Sequence, residues 1–304
     1  MTTSLILLRQ VVIMFLLVAI GFIAFRAGKI TQEGSRTIAN LLIYVSLPAV
    51  IIRSFMVERT PERIVSLLIS MALAVGALAI SILISHLCFK KDPIASFAGA
   101  FCNPGFFGIP LTTAVLGDKA VFYTASFIAF LCVLQWTYGI SLLTGEKTGL
   151  KAKTVFTAPF MISIIVGLVL FFTQLPVPDI LTSAAAYCAG LNTPLAMFAV
   201  GVYLAQSDLK KMVKKPRLYT VSAVRLVLIP LVTLALFTVI PGIPYDIKCA
   251  VFIAASCPVG SNIAMYAQLH NKDYTYAVET VVMSTLLCIV TIPLIVQLSS
   301  ILWQ

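Results

Sequence analysis

Long apolar runs alternate with short polar connections along this chain, and the runs have membrane-crossing length. A helix needs about 20 apolar residues to cross the roughly 30 Å hydrocarbon layer of a bilayer. On that measure the pattern predicts ten spans, at residues 5–25, 38–56, 64–88, 94–116, 120–143, 155–174, 181–206, 218–240, 247–269 and 274–301. Two of the runs are interrupted. The fourth contains Phe101-Cys102-Asn103-Pro104-Gly105-Phe106-Phe107-Gly108-Ile109-Pro110-Leu111, which places prolines, glycines and an asparagine inside a span. Proline removes a backbone donor and clashes with the preceding turn, and carbonyls freed at membrane depth are tolerated only inside protein or against a wet cavity. The ninth run, through Ser256-Cys257-Pro258-Val259-Gly260-Ser261-Asn262, has the same character about 155 positions later. That shift lays Cys102 on Cys257, Gly105 on Gly260 and Asp118 on Asp273. Interrupted spans at corresponding places in two halves point to a transporter's binding site.

Composition agrees with the pattern. The chain is 60% hydrophobic and 11% charged, with a mean hydropathy of +1.05, whereas soluble domains are about a quarter charged. The net charge of +10 does not imply nucleic acid, because the basic residues sit in short loops, where they act as topology signals. Loops on one side hold Arg26, Lys29, Arg36, Lys90, Lys91, Lys147, Lys151, Lys153, Lys210, Lys211, Lys214, Lys215, Arg217 and Lys272. The other side has only Arg9, Arg53, Arg59, Arg63, Lys119 and Lys248, and Arg225 falls inside a span. The positive-inside rule then predicts a multi-pass protein of the cell (inner) membrane with both termini outside the cytoplasm.

The basic loop from Gly145 to Lys153 divides the chain into halves, 1–146 and 147–304. Five spans in each, an odd number, make the second half enter the membrane in the opposite sense. The fold class expected is therefore an all-α membrane protein of about ten transmembrane helices, in two five-helix inverted repeats with crossed broken helices. The second span of each half also carries a proline in a similar setting, Val45-Ser46-Leu47-Pro48-Ala49 and Leu191-Asn192-Thr193-Pro194-Leu195. Cys88, Cys102, Cys132, Cys188, Cys249, Cys257 and Cys288 have no paired spacing and read as small apolar fillers. The first run lacks a basic leader and a cleavage site, so it is expected to remain as a span.

Candidate substrate residues are Asn103, Pro104 and Gly105 in the fourth span, Pro258, Gly260, Ser261 and Asn262 in the ninth, and Ser46 and Asn192 in the second and seventh. Half-helix N-termini would offer positive dipole ends to an anion, with the amides and hydroxyls as ligands. Prolines and glycines also kink spans for packing alone, and Asn192 equally suits a bond to a neighbouring helix. Glu279, amid apolar neighbours in the tenth span, is a candidate for coupling by carrying a proton, or else lies shallow enough to reach the cytoplasmic interface; Arg225 suits attraction of an anion, pairing with a carboxylate, or a snorkelling anchor. His86 reads as interfacial and His270 has no metal partners nearby, while Asp118 and Asp273 open helices, where an acid is favourable. The sequence shows no nucleophile with a base, no phosphate loop and no cofactor motif, which argues against an enzyme.

With these residues in view, the chain resembles the auxin efflux carrier family in its prokaryotic form, without a long central loop. The resemblance lies in Asn40 through Pro48, in Cys102 through Leu111 with Gly117, in Thr193-Pro194-Leu195-Ala196 with Gly201, in Arg225-Leu226 with Pro230, and in Ser284-Thr285 through Pro293. It implies a fold similar to bile acid/sodium symporters and sodium/proton antiporters, with a scaffold domain and a transport domain that moves as an elevator. It also implies a small organic anion as substrate, such as malate, malonate or auxin, with Asn103, Pro104, Gly105, Pro258, Gly260 and Asn262 at the crossover and Asn192 and Ser46 facing it. Coupling to a proton or to sodium, or sodium symport of bile-acid type, is left open by the resemblance, as is a ligand-binding sensor that moves nothing. Antiporter-like scaffolds often dimerise, which raises a homodimer.

Overall fold

The computed structural model describes residues 3–145 and 156–303, and these form an all-helical protein. Helical runs Thr3–Arg26, Gln32–Phe55, Pro61–Cys88, 93–116, Asp118–Thr144, Pro159–Thr173, Asp179–Gln206, Pro216–Val239, 245–269 and Tyr274–Trp303 follow one another with short connections. Among the described residues seven of them are continuous helices long and apolar enough to cross a membrane. The sixth is a shorter apolar helix, and the fourth and ninth are broken where the prolines and glycines predicted. The junction at 146/147, with Lys147, Lys151 and Lys153, lies outside the described residues. Starts differ from the hydropathy pattern where capping decides them. The second span begins at Gln32 rather than near 38, because Thr31 accepts a hydrogen bond from the Gly34 N–H; Thr60 caps Arg63 and Pro61 takes the first position of the third.

Prolines also widen the helices next to the breaks. π turns at Leu42–Ser46, Pro104–Gly108 and Val224–Leu228 each end immediately before Leu47-Pro48, Ile109-Pro110 or Ile229-Pro230. A proline inside a helix cannot donate to the carbonyl four residues back, and its ring crowds that carbonyl. The preceding turn opens to relieve the crowding, which re-aims the residues on it. Ser46, Gly105 and Arg225 all lie on such turns. A fourth π turn, Gln135–Gly139, carries Gln135.

Packing divides the spans into two bundles. The first, second, sixth and seventh pack mainly on one another; the third, fourth, fifth, eighth, ninth and tenth form the second group. In the first span Leu7, Val11, Met14 and Val18 are buried at helical spacing, while Leu5, Leu8, Leu16, Ile20 and Ile23 are exposed. In lipid such an apolar outer face carries no penalty. With no hydrophobic force to join helices there, close backbone contact takes its place. The first and seventh spans meet in this way at Gly21 and Gly201: a methyl added at Gly201 would lie 2.2 Å from the Val18 carbonyl oxygen, and one at Gly21 would lie 2.7 Å from the Phe198 backbone.

Gly201→Ala is therefore expected to lower stability by about 2 kcal/mol or more through overpacking. Gly190→Ala, where an added methyl meets nothing within 4 Å, is expected to be neutral or to stabilise by about 0.5 kcal/mol. Thermal unfolding of the two variants in detergent measures the contrast, and equal Tm values would contradict it.

Candidate functional site

The two breaks answer each other's exposed backbone. After the half-helix Pro93–Ala100, Phe101 and Cys102 extend, and Cys102 pairs antiparallel with Val259. The Asn103 N–H donates to the Pro258 carbonyl at 2.9 Å, and the Gly260 N–H donates to the Phe101 carbonyl at 3.0 Å. This two-residue ladder, buried inside a helical protein, supplies the partners that the helices have lost. Ser284 of the tenth span accepts from the Val259 N–H at 3.1 Å, and the Cys102 thiol points to the Ala254 carbonyl at 3.2 Å. A side chain at Gly260 would lie 2.8 Å from the Cys102 oxygen, so glycine is required by the close crossing.

Each break then opens into a second half-helix. Asn103 caps the first of these by accepting from the Phe106 N–H at 3.3 Å, and its amide donates to the Ser261 hydroxyl at 3.4 Å. Asn262 begins the helix Asn262–Leu269 and donates to the Gln135 side-chain oxygen at 3.1 Å. Two helix N-termini thus converge on Asn103 and Ser261, each carrying about half a positive charge.

Opposite them, Arg225 collects the negative ends. It is fully buried, at 0% exposure. Its Nε donates to the Cys257 carbonyl at 3.1 Å, Nη1 to the Gly99 carbonyl at 3.1 Å and the Ser81 hydroxyl at 3.5 Å, and Nη2 to the Ala255 carbonyl. Gly99 and Ala255 close the first half-helices of the fourth and ninth spans. Two helix C-termini of roughly −0.5 each supply about one counter-charge, which accounts for a buried guanidinium without a carboxylate. Arg225 is therefore neither a snorkelling anchor nor free to meet an anion in this state. Three of its partners are main-chain carbonyls, which a sequence does not display.

Glu279 lies in the second turn of the tenth span. Although only 6% exposed, it is not isolated among apolar neighbours. Lys215, from the loop before the eighth span, donates to both carboxylate oxygens at 2.6 and 2.7 Å. Beside this pair, Asp92 caps the fourth span at Ala95, accepts from Arg217 at 2.6 and 2.9 Å, and accepts from the Tyr276 hydroxyl at 3.2 Å. These contacts tie together the starts of the fourth, eighth and tenth spans. They do not touch the crossover.

A half-enclosed cleft of about 630 Å³ opens between the bundles at the opposite end. Its polar lining includes Gln10, Arg53, Asp118, Lys119, Asn192 and Thr193, with Ile109 and Pro110 of the second half-helix in its wall. Asn192 joins the cleft to the crossover: it is 2% exposed, and its amide donates to the Gly105 carbonyl at 3.3 Å. Ser46, Asn103, Pro104, Gly105, Pro258, Gly260, Ser261 and Asn262 do not line the cleft. Buried polar atoms around the site without a partner among the described residues include Ser46 Oγ, Asn192 Oδ1, Gln135 Nε2 and Ser256 Oγ. Sequence reasoning missed Gln135, a polar residue between apolar neighbours on a π turn. It also passed over Arg53 and Lys119, treated only as topology signals.

Residues 6–296 match a family described as membrane transport protein. The chain is 26% identical over 299 residues to a protein of Rhizobium meliloti provisionally named a malonate transporter, covering 91% of each chain. It is 25% identical over 295 residues to an uncharacterised transporter of Methanothermobacter thermautotrophicus, covering 91% of this chain and 93% of that one. An uncharacterised transporter of Methanocaldococcus jannaschii is 26% identical over 221 residues, or 66% of this chain and 70% of that one.

The dependence of the crossover on Arg225 is measurable. Arg225→Leu orphans four acceptors and is expected to cost about 3–5 kcal/mol, enough to abolish folded protein in size-exclusion profiles. Arg225→Lys keeps the charge but loses the planar fork, and an intermediate loss is expected. A wild-type melting profile for Arg225→Leu would contradict this role.

Proposed function

The chain belongs to the membrane transport protein family, as the resemblance to auxin efflux carriers anticipates, and we propose that this transporter moves a small organic anion by alternating access. The observation that carries the reading is the convergence of two half-helix N-termini on Asn103 and Ser261 while Arg225 neutralises the opposed C-termini. The N-termini are thereby the uncompensated ends at the crossover, which suits a carboxylate. Arg53 and Lys119 in the adjoining cleft draw an anion towards it. The provisional malonate name of a relative supports a mono- or dicarboxylate.

The two bundles support an elevator. The spans that carry the crossover pack as one group, fastened by Arg225, by the Lys215–Glu279 pair and by the Asp92–Arg217 pair. The first, second, sixth and seventh spans form the scaffold they slide against. We read residues 1–146 and 147–304 as inverted repeats, a reading supported by the antiparallel pairing of the two breaks. Under the positive-inside rule the cleft bearing Arg53 and Lys119 faces away from the cytoplasm, so this state is open to the outside of the cell membrane.

Labelled malonate, malate and indole-3-acetate offered to proteoliposomes test the reading. Saturable uptake of at least one acid is expected, with Asn103→Ala reducing the rate about tenfold or more through loss of the cap and of its bond to Ser261. Arg53→Gln is expected to raise KM several-fold. No flux of any acid from folded wild-type protein would overturn the organic-anion reading.

A further inference from the structure

A second hollow, separate from the cleft, lies on the group of spans that carries the crossover. It is an open groove of about 650 Å³ between the third and fifth spans, and it shares no lining residue with the cleft. Val75, Ala79 and Leu83 form one wall at one-turn spacing, and Phe130 and Leu134 form the other. The small Ala79 between two larger side chains makes the hollow. Val75 and Leu83 are 48% and 59% exposed, and at membrane depth such an apolar surface meets acyl chains. At one end the lining turns polar, with His86 on the third span and Tyr138 on the fifth.

The chain just beyond that end is basic. The third span stops at Cys88, and the Asp92 N–H donates to the Phe89 carbonyl at 3.0 Å, which closes a tight turn with Lys90 and Lys91 at its tip. Both lysines are exposed, and neither has an ion pair among the described residues. The neighbouring acid, Asp92, is taken by Arg217. Eleven positions separate Val75 from His86, a helical length of about 16 Å, and half of a roughly 30 Å hydrocarbon layer is about 15 Å. The groove is thus one leaflet deep, with its basic rim at the level of the headgroups. We infer that it binds a single anionic phospholipid, with an acyl chain along Ala79 and the phosphate at Lys90, Lys91 and His86. Any phospholipid has chains to fill the groove; the rim selects among them, since each lysine near the surface favours anionic lipid about fivefold. Under the positive-inside rule the rim faces the cytoplasm, where the leaflet is anionic. The inference does not depend on what the protein transports.

Native mass spectrometry of the detergent-purified protein, titrated with dioleoyl phosphatidylglycerol or dioleoyl phosphatidylcholine, tests the site. The chains are identical, so the difference reads the headgroup. One phosphatidylglycerol is expected to bind about tenfold or more tightly than phosphatidylcholine. Lys90→Gln combined with Lys91→Gln, on an exposed turn that tolerates change, is expected to bring the two lipids level. Lys210→Gln combined with Lys214→Gln, on the basic loop before the eighth span, is expected to leave the preference intact. Ala79→Phe fills the groove and is expected to weaken both lipids several-fold, while dihexanoyl phosphatidylglycerol, with chains too short to fill it, is expected to bind about tenfold more weakly than the dioleoyl lipid. Equal binding of the two dioleoyl lipids by the wild type would overturn the inference, as would a preference that survives in the Lys90/Lys91 variant or disappears in the Lys210/Lys214 variant. A purified dimer that Ala79→Phe dissociates would give the groove to a second copy of the chain and overturn it equally.

Discussion

Backbone groups released at membrane depth must find partners inside the protein, and the structure follows from how this chain meets that demand. Two spans are broken, and each break would strand carbonyls and N–H groups in a medium that cannot hydrate them. The breaks are laid across each other so that Phe101, Asn103, Pro258 and Gly260 exchange main-chain hydrogen bonds. The carbonyls that this ladder does not reach, at Gly99, Ala255 and Cys257, are met by Arg225. A lysine offers one point of charge, whereas a guanidinium presents donors in a planar fork to carbonyls on several sides. The crossover and Arg225 thus depend on each other: the buried charge is tolerable because two helix C-termini face it, and the helix ends are tolerable because the charge is there.

The same arrangement produces polarity across the crossover. A half-helix pair without Arg225 would present positive and negative ends around one point and bind neither ion well. With the C-termini neutralised, the N-termini at Asn103 and Ser261 dominate the local field. The resulting site carries little formal charge of its own, which suits release as well as binding under the proposed anion transport. Stronger cations stand apart in the cleft, at Arg53 and Lys119, where partial exposure screens them.

The span pattern was legible because lipid demands long apolar runs, and the breaks were legible because Pro, Gly and Asn are out of place within them. Asn103, Gly260 and Asn192 follow from that reading. The partners do not. Arg225 bonds to carbonyls, which every residue has; Lys215 reaches Glu279 across 64 positions of sequence; and Gln135, which receives Asn262, carries no spacing signal. The π turns were within reach, since Pro48, Pro110 and Pro230 each sit two residues after one. Their consequence for Ser46, Gly105 and Arg225 required knowing which face of each widened turn looks inward.

The hydrogen bond from Asn192 to the Gly105 carbonyl joins the seventh span of one bundle to the fourth span of the other. An elevator movement that carries the crossover past the scaffold must break it, and a buried bond broken without replacement leaves a desolvated carbonyl. A substrate seated between Asn192 and the crossover could compensate, because its own donors and acceptors take over positions that the two bundles otherwise fill for each other. Movement with the site occupied is then less costly than movement of the bare protein through the same intermediate. In the proposed carrier that difference would tie movement to substrate, through one amide whose oxygen has no partner among the described residues.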